Sequence, residues 1–197
     1  CLWDRDEKLV NKTAASLDSK GRVETGVMDV TDLESVKNAA RQTKEAMGRI
    51  DILVCNAGIA GPTVKLWEYP PEDWQKVIDI DLTGPFRMTQ AALPLLDKGV
   101  ELGGSARVIN IASVAGVLPL QLQAAYSAAK SGLINLTQSM GLELGKQGIL
   151  CNAIAPGTIA TAGTAGLWVR PNSPLLPRRH PFARRDFDAA TWLRRVR

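Results

Sequence analysis

The sequence is poor in histidine and cysteine and contains no long hydrophobic run. Its one histidine, His180, argues against His-based catalytic triads and metal centres. The three cysteines, Cys1, Cys55 and Cys151, form no CxxC pair, so we expect neither a disulfide framework nor a zinc site, and a reducing compartment is the default. The apolar runs are shorter than the roughly 20 residues of a membrane span, and the opening residues lack the apolar core of a signal peptide. These absences predict a cytoplasmic protein with no metal site and no membrane partner.

The composition fits one globular domain followed by a basic segment. Of the 197 residues, 45% are hydrophobic and 22% are charged, which excludes a disordered or collagen-like chain. Residues 1–166 carry 16 basic and 18 acidic side chains, a net charge of −2. Residues 167–197 carry eight Arg, no Lys and two Asp, a net charge of +6. We therefore expect a near-neutral body and a tail of different character.

Strand-like and helix-like segments alternate along the body. Helices are predicted at 6–19, from the capping pair Thr31-Asp32 to Met47, at 72–96 and at 124–146. Strands are predicted at Val23–Val30, Ile50–Cys55, Arg107–Ala112 and Ile149–Ala155, and Ile50–Cys55 is apolar enough to be buried on both faces. This order predicts an α/β fold with a parallel sheet and helices on both faces. Ligands of such sheets bind beyond the carboxyl ends of the strands, where this sequence places Asp4, Asp29, Asn56, Ser113 and Pro156-Gly157.

Tyr126 and Lys130 are the first candidates for chemistry. They are four residues apart on a predicted helix, so their side chains share a face. An ammonium beside a phenol favours the phenolate, so we expect the pKa of Tyr126 to be lowered towards the range useful for proton transfer. Ser113 follows a buried strand, which brings its hydroxyl to the same edge of the sheet. The ordinary alternatives are an amphipathic helix with a surface Lys and a cap at the end of a strand.

Two turn segments complete the candidate site. The segment CNAG at 55–58 follows a strand, where Ala57 and Gly58 let a flat ligand approach the backbone and Asn56 can hold neighbouring backbone groups. A simple turn is the alternative for this segment. The segment NAIAPGTIAT at 152–161 ends a strand at Pro156-Gly157, which shapes a sharp exit from the sheet.

Together these motifs resemble the short-chain dehydrogenase/reductase family. They follow the family's order over about residues 1–162: Asp4 after a strand, MDVTD with Asp29-Val30, CNAG at 55–58, INIAS ending at Ser113, YSAAK at 126–130 and APGTIAT at 155–161. The resemblance implies a Rossmann-like, doubly wound parallel sheet. It also implies hydride transfer between a nicotinamide cofactor and a secondary alcohol or ketone. The motifs are most similar to 3-oxoacyl-thioester reductase-like and sugar or polyol dehydrogenase-like members.

The resemblance also implies roles for individual residues. Tyr126 would be the general acid/base, Lys130 would lower its pKa and bind the nicotinamide ribose, and Ser113 would orient the substrate oxygen. Asp4 suits the ribose hydroxyl of NAD and repels a 2′-phosphate, whereas the adjacent Arg5 suits a phosphate, so NAD is favoured and NADP stays open. The helices at 72–96 and 124–146 resemble the family's dimer core, which implies a homodimer or homotetramer of the intact parent. Further cofactor contacts are implied at Asp29, Val30, Asn56, Ala57, Gly58, Pro156, Gly157, Ile159 and Thr161.

Three departures from the family pattern set further expectations. The glycine-rich phosphate loop, the first strand and the last strand are missing, so we expect an incomplete sheet with unpaired strand edges. Asp81 occupies the place of the family's active-site Asn in IDIDLTGPF. The ordinary alternative is an acidic residue on a long helix. Near Lys130 its carboxylate has an effect on Tyr126 that the sequence leaves open, and we expect reduced rather than abolished activity in the intact parent. Beyond the partial domain at 1–162, we expect residues 163–197 to be a poorly ordered Arg/Pro-rich tail from a truncated, frame-shifted or alternatively spliced end.

Two other functional classes stay open. An Arg-rich tail suits nucleic acid or an anionic surface, but this one has no Lys and no platform for base stacking, so nucleic acid is not expected as a partner. The other class is a catalytically impaired or non-catalytic remnant of the family. For the 197-residue chain itself we expect weak or no cofactor binding and weak or no activity. The favoured function is an NAD(P)-dependent oxidoreductase acting on a small-molecule alcohol or ketone.

Overall fold

The computed structural model describes residues 1–17, 21–157 and the backbone of 194–195. The strands are β1 (Leu2–Asp4), β2 (Thr25–Val27), β3 (Ile52–Cys55), β4 (Ala106–Ile111), β5 (Ile149–Ile154) and β6 (Arg194–Arg195). The helices are α1 (Glu7–Ser16), α2 (Leu33–Met47), α3 (Pro71–Ile78), α4 (Gly84–Gly103) and α5 (Ala124–Leu144). Short 3-10 turns lie at Leu66–Glu68, Val114–Gly116 and Gly145–Gln147, and a π turn lies at Asp79–Thr83.

The described strands form two sheets. β1 pairs with β2 in parallel, and β3, β4, β5 and β6 form the second sheet in that order. The pairs β3–β4 and β4–β5 are parallel, whereas β6 runs antiparallel to β5, which the sequence did not predict. The α/β fold with parallel strands is confirmed, and the expected break in the sheet lies between β1 and β3.

The core lies on one face of the larger sheet. Alternate side chains of β4 and β5, including Val108 and Ile149, are fully buried against Leu96 of α4 and the neighbouring part of α5. Leu133 of α5 is also fully buried and packs near the ends of the same strands. These two helices therefore fix the strand ends from which the candidate site projects. A second apolar cluster, which we call the N-terminal cluster, joins the segment after β2, α2 and the π turn through Met28, Val30, Val36, Ala39 and Ile80.

The prediction that Ile50–Cys55 is buried on both faces is wrong. Ile52 and Val54 are 55% and 49% exposed, whereas Cys55 is buried. Alternate residues of a strand point to opposite faces, and α4 and α5 cover only the face that carries Cys55. An apolar run therefore identified the strand correctly but overestimated its burial, because burial depends on what packs against each face.

Local signals set the helix ends. Asp32 caps α2 by accepting a hydrogen bond from the Glu34 N–H at 2.9 Å, and Gly48 ends this helix in the left-handed conformation with φ 76°.

The helix predicted at 72–96 is divided into α3 and α4 by the π turn. Pro85 accounts for the division because it has no N–H to donate to the carbonyl of Asp81 four residues earlier. Among the described helices, none combines the length and apolar character needed to cross a membrane.

Part of the predicted organisation lies outside the described residues. Ile159, Thr161 and the boundary at residue 162 fall there, as does the tail at 163–197 apart from the backbone of β6. The division into a domain at 1–162 and a tail at 163–197 therefore stays a prediction.

Candidate active site

Ser113 lies at the carboxyl end of β4, as the sequence predicts. It is extended and buried, and its hydroxyl oxygen accepts a hydrogen bond from the Ala115 N–H at 3.1 Å, which caps the 3-10 turn Val114–Gly116. The capping alternative and the functional one are thus compatible, because the hydroxyl can accept from the turn and still donate its own proton.

Tyr126 and Lys130 lie one turn apart on α5, and Lys130 is not a surface residue. Only 4% of Lys130 is exposed, and its Nζ donates a hydrogen bond to the Ile111 carbonyl at 2.9 Å. The same nitrogen lies 5.7 Å from the centroid of the Tyr126 ring. Helical spacing therefore brings the phenol and the ammonium together as predicted, and the hydrogen bond to Ile111 of β4 holds the ammonium in place.

Asp81 joins this group from the π turn. Its side chain is fully buried, and Oδ1 accepts a hydrogen bond from the Ile59 N–H at 2.8 Å. Oδ2 lies 3.3 Å from Lys130 Nζ, as an ion pair whose angles fall short of a hydrogen bond. The four predicted catalytic residues, Ser113, Tyr126, Lys130 and Asp81, thus meet at one edge of the sheet.

The expected fall in the pKa of Tyr126 is wrong for the protein without ligand. Burial raises the pKa of the Tyr126 phenol, a hydrogen bond from Ser113 acts in the opposite direction, and the charge of Asp81 raises it further. Burial also raises the pKa of the Asp81 carboxyl, while the charge of Lys130 opposes that shift. The expectation of a lower pKa rested on the ammonium and left out the burial of the phenol, which is the largest cause of the rise, and the effect of the Asp81 charge.

A cavity of about 1100 Å³ opens between β1 and β3. Gly58 belongs to its lining and also lies against the buried ion pair, because a Cβ at this position would lie 3.2 Å from both Asp81 Oδ2 and Lys130 Nζ. A side chain at residue 58 would therefore crowd the two charged groups. Six of the predicted cofactor-binding residues line this one cavity: Asp4, Asp29, Val30, Asn56, Ala57 and Gly58.

Asp29 and Pro156 also shape their own turns. The Asp29 carboxylate accepts hydrogen bonds from both the Thr31 hydroxyl at 2.7 Å and the Thr31 N–H at 2.8 Å, which lower the pKa of Asp29. The Pro156 carbonyl accepts a hydrogen bond from the Val114 N–H at 2.9 Å, which ties the exit of β5 to the turn after Ser113. Gly157 follows in an exposed position, and the predicted contacts Ile159 and Thr161 are outside the described residues.

Sequence reasoning missed several residues that hold the site. Ile59 and Ile111 act through their backbone, which no side-chain pattern reveals. Gly116 allows the turn after Ser113 to touch α5, since a Cβ there would lie 2.6 Å from the carbonyl carbon and oxygen of Lys130. Leu122 has a φ of 63°, an uncommon conformation for a non-glycine residue, and its carbonyl accepts a hydrogen bond from the Val64 N–H at 3.1 Å just before α5 begins. Of these residues, Gly116 was the one that the sequence could have indicated, because it is a glycine in a turn.

Comparison with known proteins agrees with the family resemblance found in the sequence. A family model described as short chain dehydrogenase matches residues 1–170. Over 157 residues, the chain is 40% identical to a 2-dehydro-3-deoxy-L-rhamnonate dehydrogenase (NAD(+)) from Sphingomonas sp. strain SKA58, an alignment that covers 80% of this chain and 60% of that protein. Over 149 residues, it is 42% identical to a 3-oxoacyl-[acyl-carrier-protein] reductase from Synechocystis sp., covering 76% of this chain and 58% of that protein.

A solved structure gives the same result for the fold. The Pseudomonas aeruginosa RhlG/NADP active-site complex matches with a TM-score of 0.77 and 34% identity, and the match covers 82% of this chain and 63% of that chain. The predicted Rossmann-like α/β fold is therefore confirmed. The chain spans about 60% of the length of the curated relatives that it matches.

Proposed function

Because the chain belongs to the short-chain dehydrogenase family, we propose that Ser113, Tyr126 and Lys130 form an oxidoreductase site for a secondary alcohol or a ketone. The observation that carries the proposal is the convergence of a hydroxyl, a phenol and a buried ammonium at the carboxyl end of β4. In parallel α/β sheets this edge is where ligands bind.

Each group has a defined task in carbonyl reduction. The Tyr126 hydroxyl donates its proton to the substrate oxygen as hydride reaches the carbonyl carbon, and the carbon–oxygen double bond becomes the single bond of an alcohol. The Ser113 hydroxyl donates a hydrogen bond to the same oxygen and holds it in place. A nicotinamide cofactor supplies the hydride when it is bound. In the reverse direction the Tyr126 phenolate accepts the alcohol proton.

Asp4, which lines the cavity, and Lys130, which lies outside its lining, both supply groups suited to a dinucleotide. Lys130 has three N–H donors, of which one binds the Ile111 carbonyl and another faces Asp81, so the third remains for the ribose hydroxyls. Asp4 Oδ1 accepts a hydrogen bond from the Asp6 N–H at 2.9 Å, and Oδ2 supplies a second acceptor for a ribose hydroxyl at the end of β1. A carboxylate in this position favours NAD over NADP, because it repels a 2′-phosphate.

Self-association is part of the proposal. A shallow groove of about 390 Å³ lies between the start of α4 and α5 and includes Phe86, which is 44% exposed. Leu142, farther along α5, is 67% exposed. Apolar side chains on these two helices support a homodimer or homotetramer built across them.

The test measures binding and turnover separately on the 197-residue chain. Calorimetric titration with NADH and with NADPH reports binding, and nicotinamide absorbance with a panel of ketones, sugars and 3-oxoacyl thioesters reports turnover. We expect NADH to bind more tightly than NADPH. We expect Tyr126→Phe to reduce turnover roughly 10²- to 10⁴-fold, the usual range for a missing general acid. Tyr69→Phe is the matched control, since the Tyr69 hydroxyl is buried without a hydrogen-bond partner and lies outside the proposed machinery. Turnover that survives Tyr126→Phe would overturn the proposal.

A second candidate function is nucleotide binding without efficient turnover. The observation that favours it is the Asp81–Lys130 ion pair, which offsets the charge that would otherwise activate Tyr126. NADH binding with no turnover on any substrate of the panel would support this candidate over the first.

A further inference from the structure

Asp81 is held from several sides inside the protein. Its Oδ1 accepts the Ile59 N–H at 2.8 Å, and its Oδ2 faces Lys130 Nζ at 3.3 Å. Gly58 closes the pair from the cavity side, since a Cβ there would lie 3.2 Å from both charged atoms. Asp81 is 0% and Lys130 4% exposed, so the two charges interact at low effective dielectric. The pair is therefore a built feature of the site and not a surface contact.

Lys130 is fixed between Asp81 and Tyr126. Its Nζ donates to the Ile111 carbonyl at 2.9 Å and lies 5.7 Å from the centroid of the phenol ring. An ammonium at such a distance favours the phenolate when its charge is unopposed. Here the ammonium is paired with the Asp81 carboxylate at 3.3 Å, so the negative charge of Asp81 opposes the effect of Lys130 on the phenol.

We propose that Asp81 is a positioning residue that fixes Lys130 and balances its charge, so that Tyr126 keeps its proton and is set to donate it near neutral pH. The proposal deepens the proposed function, and it rests on that function only for its consequence in catalysis. The charge balance is a property of the chain without ligand. The direction of the Tyr126 pKa agrees with it: burial raises that pKa, and Asp81 adds to the rise.

The groups that face Tyr126 come from a small number of elements. Among the described residues, Asp81 from the π turn and Lys130 from α5 itself are the charged groups that face the phenol, and Ser113 supplies a hydroxyl from the turn after β4. Tyr69 belongs to the same apolar cluster, and it is the phenol on which Asp73 of α3 acts. Burial and the Ser113 hydrogen bond also act on the Tyr126 pKa, but the charged part of its surroundings is this one ion pair, which substitution can change.

The composition makes a direct titration practical. The chain contains two tyrosines, so Tyr69→Phe leaves Tyr126 as the one titrating phenol. In this background, the near-ultraviolet absorbance of tyrosinate is read after stopped-flow jumps to increasing pH, before the chain unfolds, with far-UV circular dichroism as the check on folding. We expect Asp81→Asn to lower the titration midpoint of Tyr126 by roughly one pH unit, the shift typical of an unopposed nearby charge. The matched control is Asp79→Asn, which removes the same charge from the same π turn but from a carboxylate that faces Arg87 at 3.9 Å.

Two further variants separate charge balance from structural damage. Lys130→Met should raise the midpoint, because Asp81 then acts on the phenol alone. The double variant Asp81→Asn/Lys130→Met should return it close to the starting value, because the pair is neutral as a unit. Disruption of the fold would not produce shifts of opposite sign that cancel. The proposal is overturned if Asp81→Asn leaves the midpoint unchanged, or shifts it no more than Asp79→Asn does.

A kinetic measurement then tests the consequence for catalysis. The alkaline rise of alcohol oxidation should move to lower pH in Asp81→Asn by the same amount as the optical midpoint. If the optical shift appears but no turnover is found in any variant, the charge balance stands and the proposed function fails. If turnover is found and the pH profile does not move with the optical midpoint, the catalytic consequence of the charge balance is refuted.

Discussion

The contact between Gly116 and α5 allows a quantitative test of how the site is held together. Gly116→Ala adds a methyl group whose carbon would lie 2.6 Å from the carbonyl carbon and oxygen of Lys130 and 2.8 Å from the Ser131 nitrogen. All three atoms are helix backbone, so no side chain can rotate away. To reach an ordinary contact of 3.4 Å, the turn Val114–Gly116 has to move from α5 by about 0.8 Å.

Such overpacking against a rigid element typically costs about 1–3 kcal/mol of unfolding free energy. Replacing Gly by Ala also restricts the unfolded chain, which stabilises the fold by about 0.4–1 kcal/mol at compatible positions. Gly145→Ala restricts the unfolded chain without overpacking the fold. Gly145 has a helical φ, and a Cβ added there would meet no neighbouring atom within 4 Å. The difference between the two variants therefore isolates the steric contribution.

Urea unfolding followed by far-UV circular dichroism gives both free energies. We expect Gly116→Ala to be less stable than Gly145→Ala by about 1–3 kcal/mol, with the same dependence on urea concentration. A Gly116→Ala variant as stable as Gly145→Ala would refute the reasoning. It would show that the turn after Ser113 is free to move and that Ser113 is not positioned by its contact with α5.

Two further predictions concern the core. Burial raises the pKa of the Cys55 thiol to about 12, above its unfolded value, so the folded chain holds the proton longer. The contribution of Cys55 to stability should then be full below about pH 9 and fall between pH 9 and 12 by about 1.4 kcal/mol per pH unit. Cys55→Ala should remove this part of the slope in alkaline denaturation and leave the part due to Cys151, whose pKa burial raises to about 11. Gly99→Ala would place a methyl group directly against the Ile50 carbonyl oxygen and should lower the melting temperature in calorimetry, whereas Gly103→Ala on the same helix meets only the movable Asp51 side chain. Equal melting temperatures for these two variants would contradict the close helix–strand contact.

Short-range geometry explains what the sequence predicted well. Tyr126 and Lys130 are related by one helical turn, and Ser113 follows directly after a strand, so local rules suffice to place them at one edge. The cap at Asp32 and the stop at Gly48 are likewise local, and both occur as predicted. The fold class could also be predicted, because the alternation of strands and helices is visible along the sequence.

Long-range contacts explain what the sequence did not predict. The Ile59 N–H that binds Asp81 is 22 residues away from it, and the Ile111 carbonyl is 19 residues from Lys130. Backbone N–H and carbonyl groups are common to almost all residue types. A pattern of residue types therefore does not show which of these groups will bind a side chain. The direction of the Tyr126 pKa depended first on burial by surrounding elements and then on the charge of Asp81, so local spacing alone predicted the wrong sign.

The separation of the two sheets has a consequence for cooperativity. In the part of the chain that the structure describes, no strand pairing links β1–β2 to the larger sheet, and the N-terminal cluster makes the connection through side chains. Arg87 adds one hydrogen bond, from Nη1 to the Val30 carbonyl at 3.3 Å. The elements β1, α1, β2 and α2 are thus able to open as a local unit, with amide hydrogens exchanging faster than those of α4 and α5. The edge that carries Asp4 and Asp29 would then sample open states while Tyr126 and Lys130 stay in place.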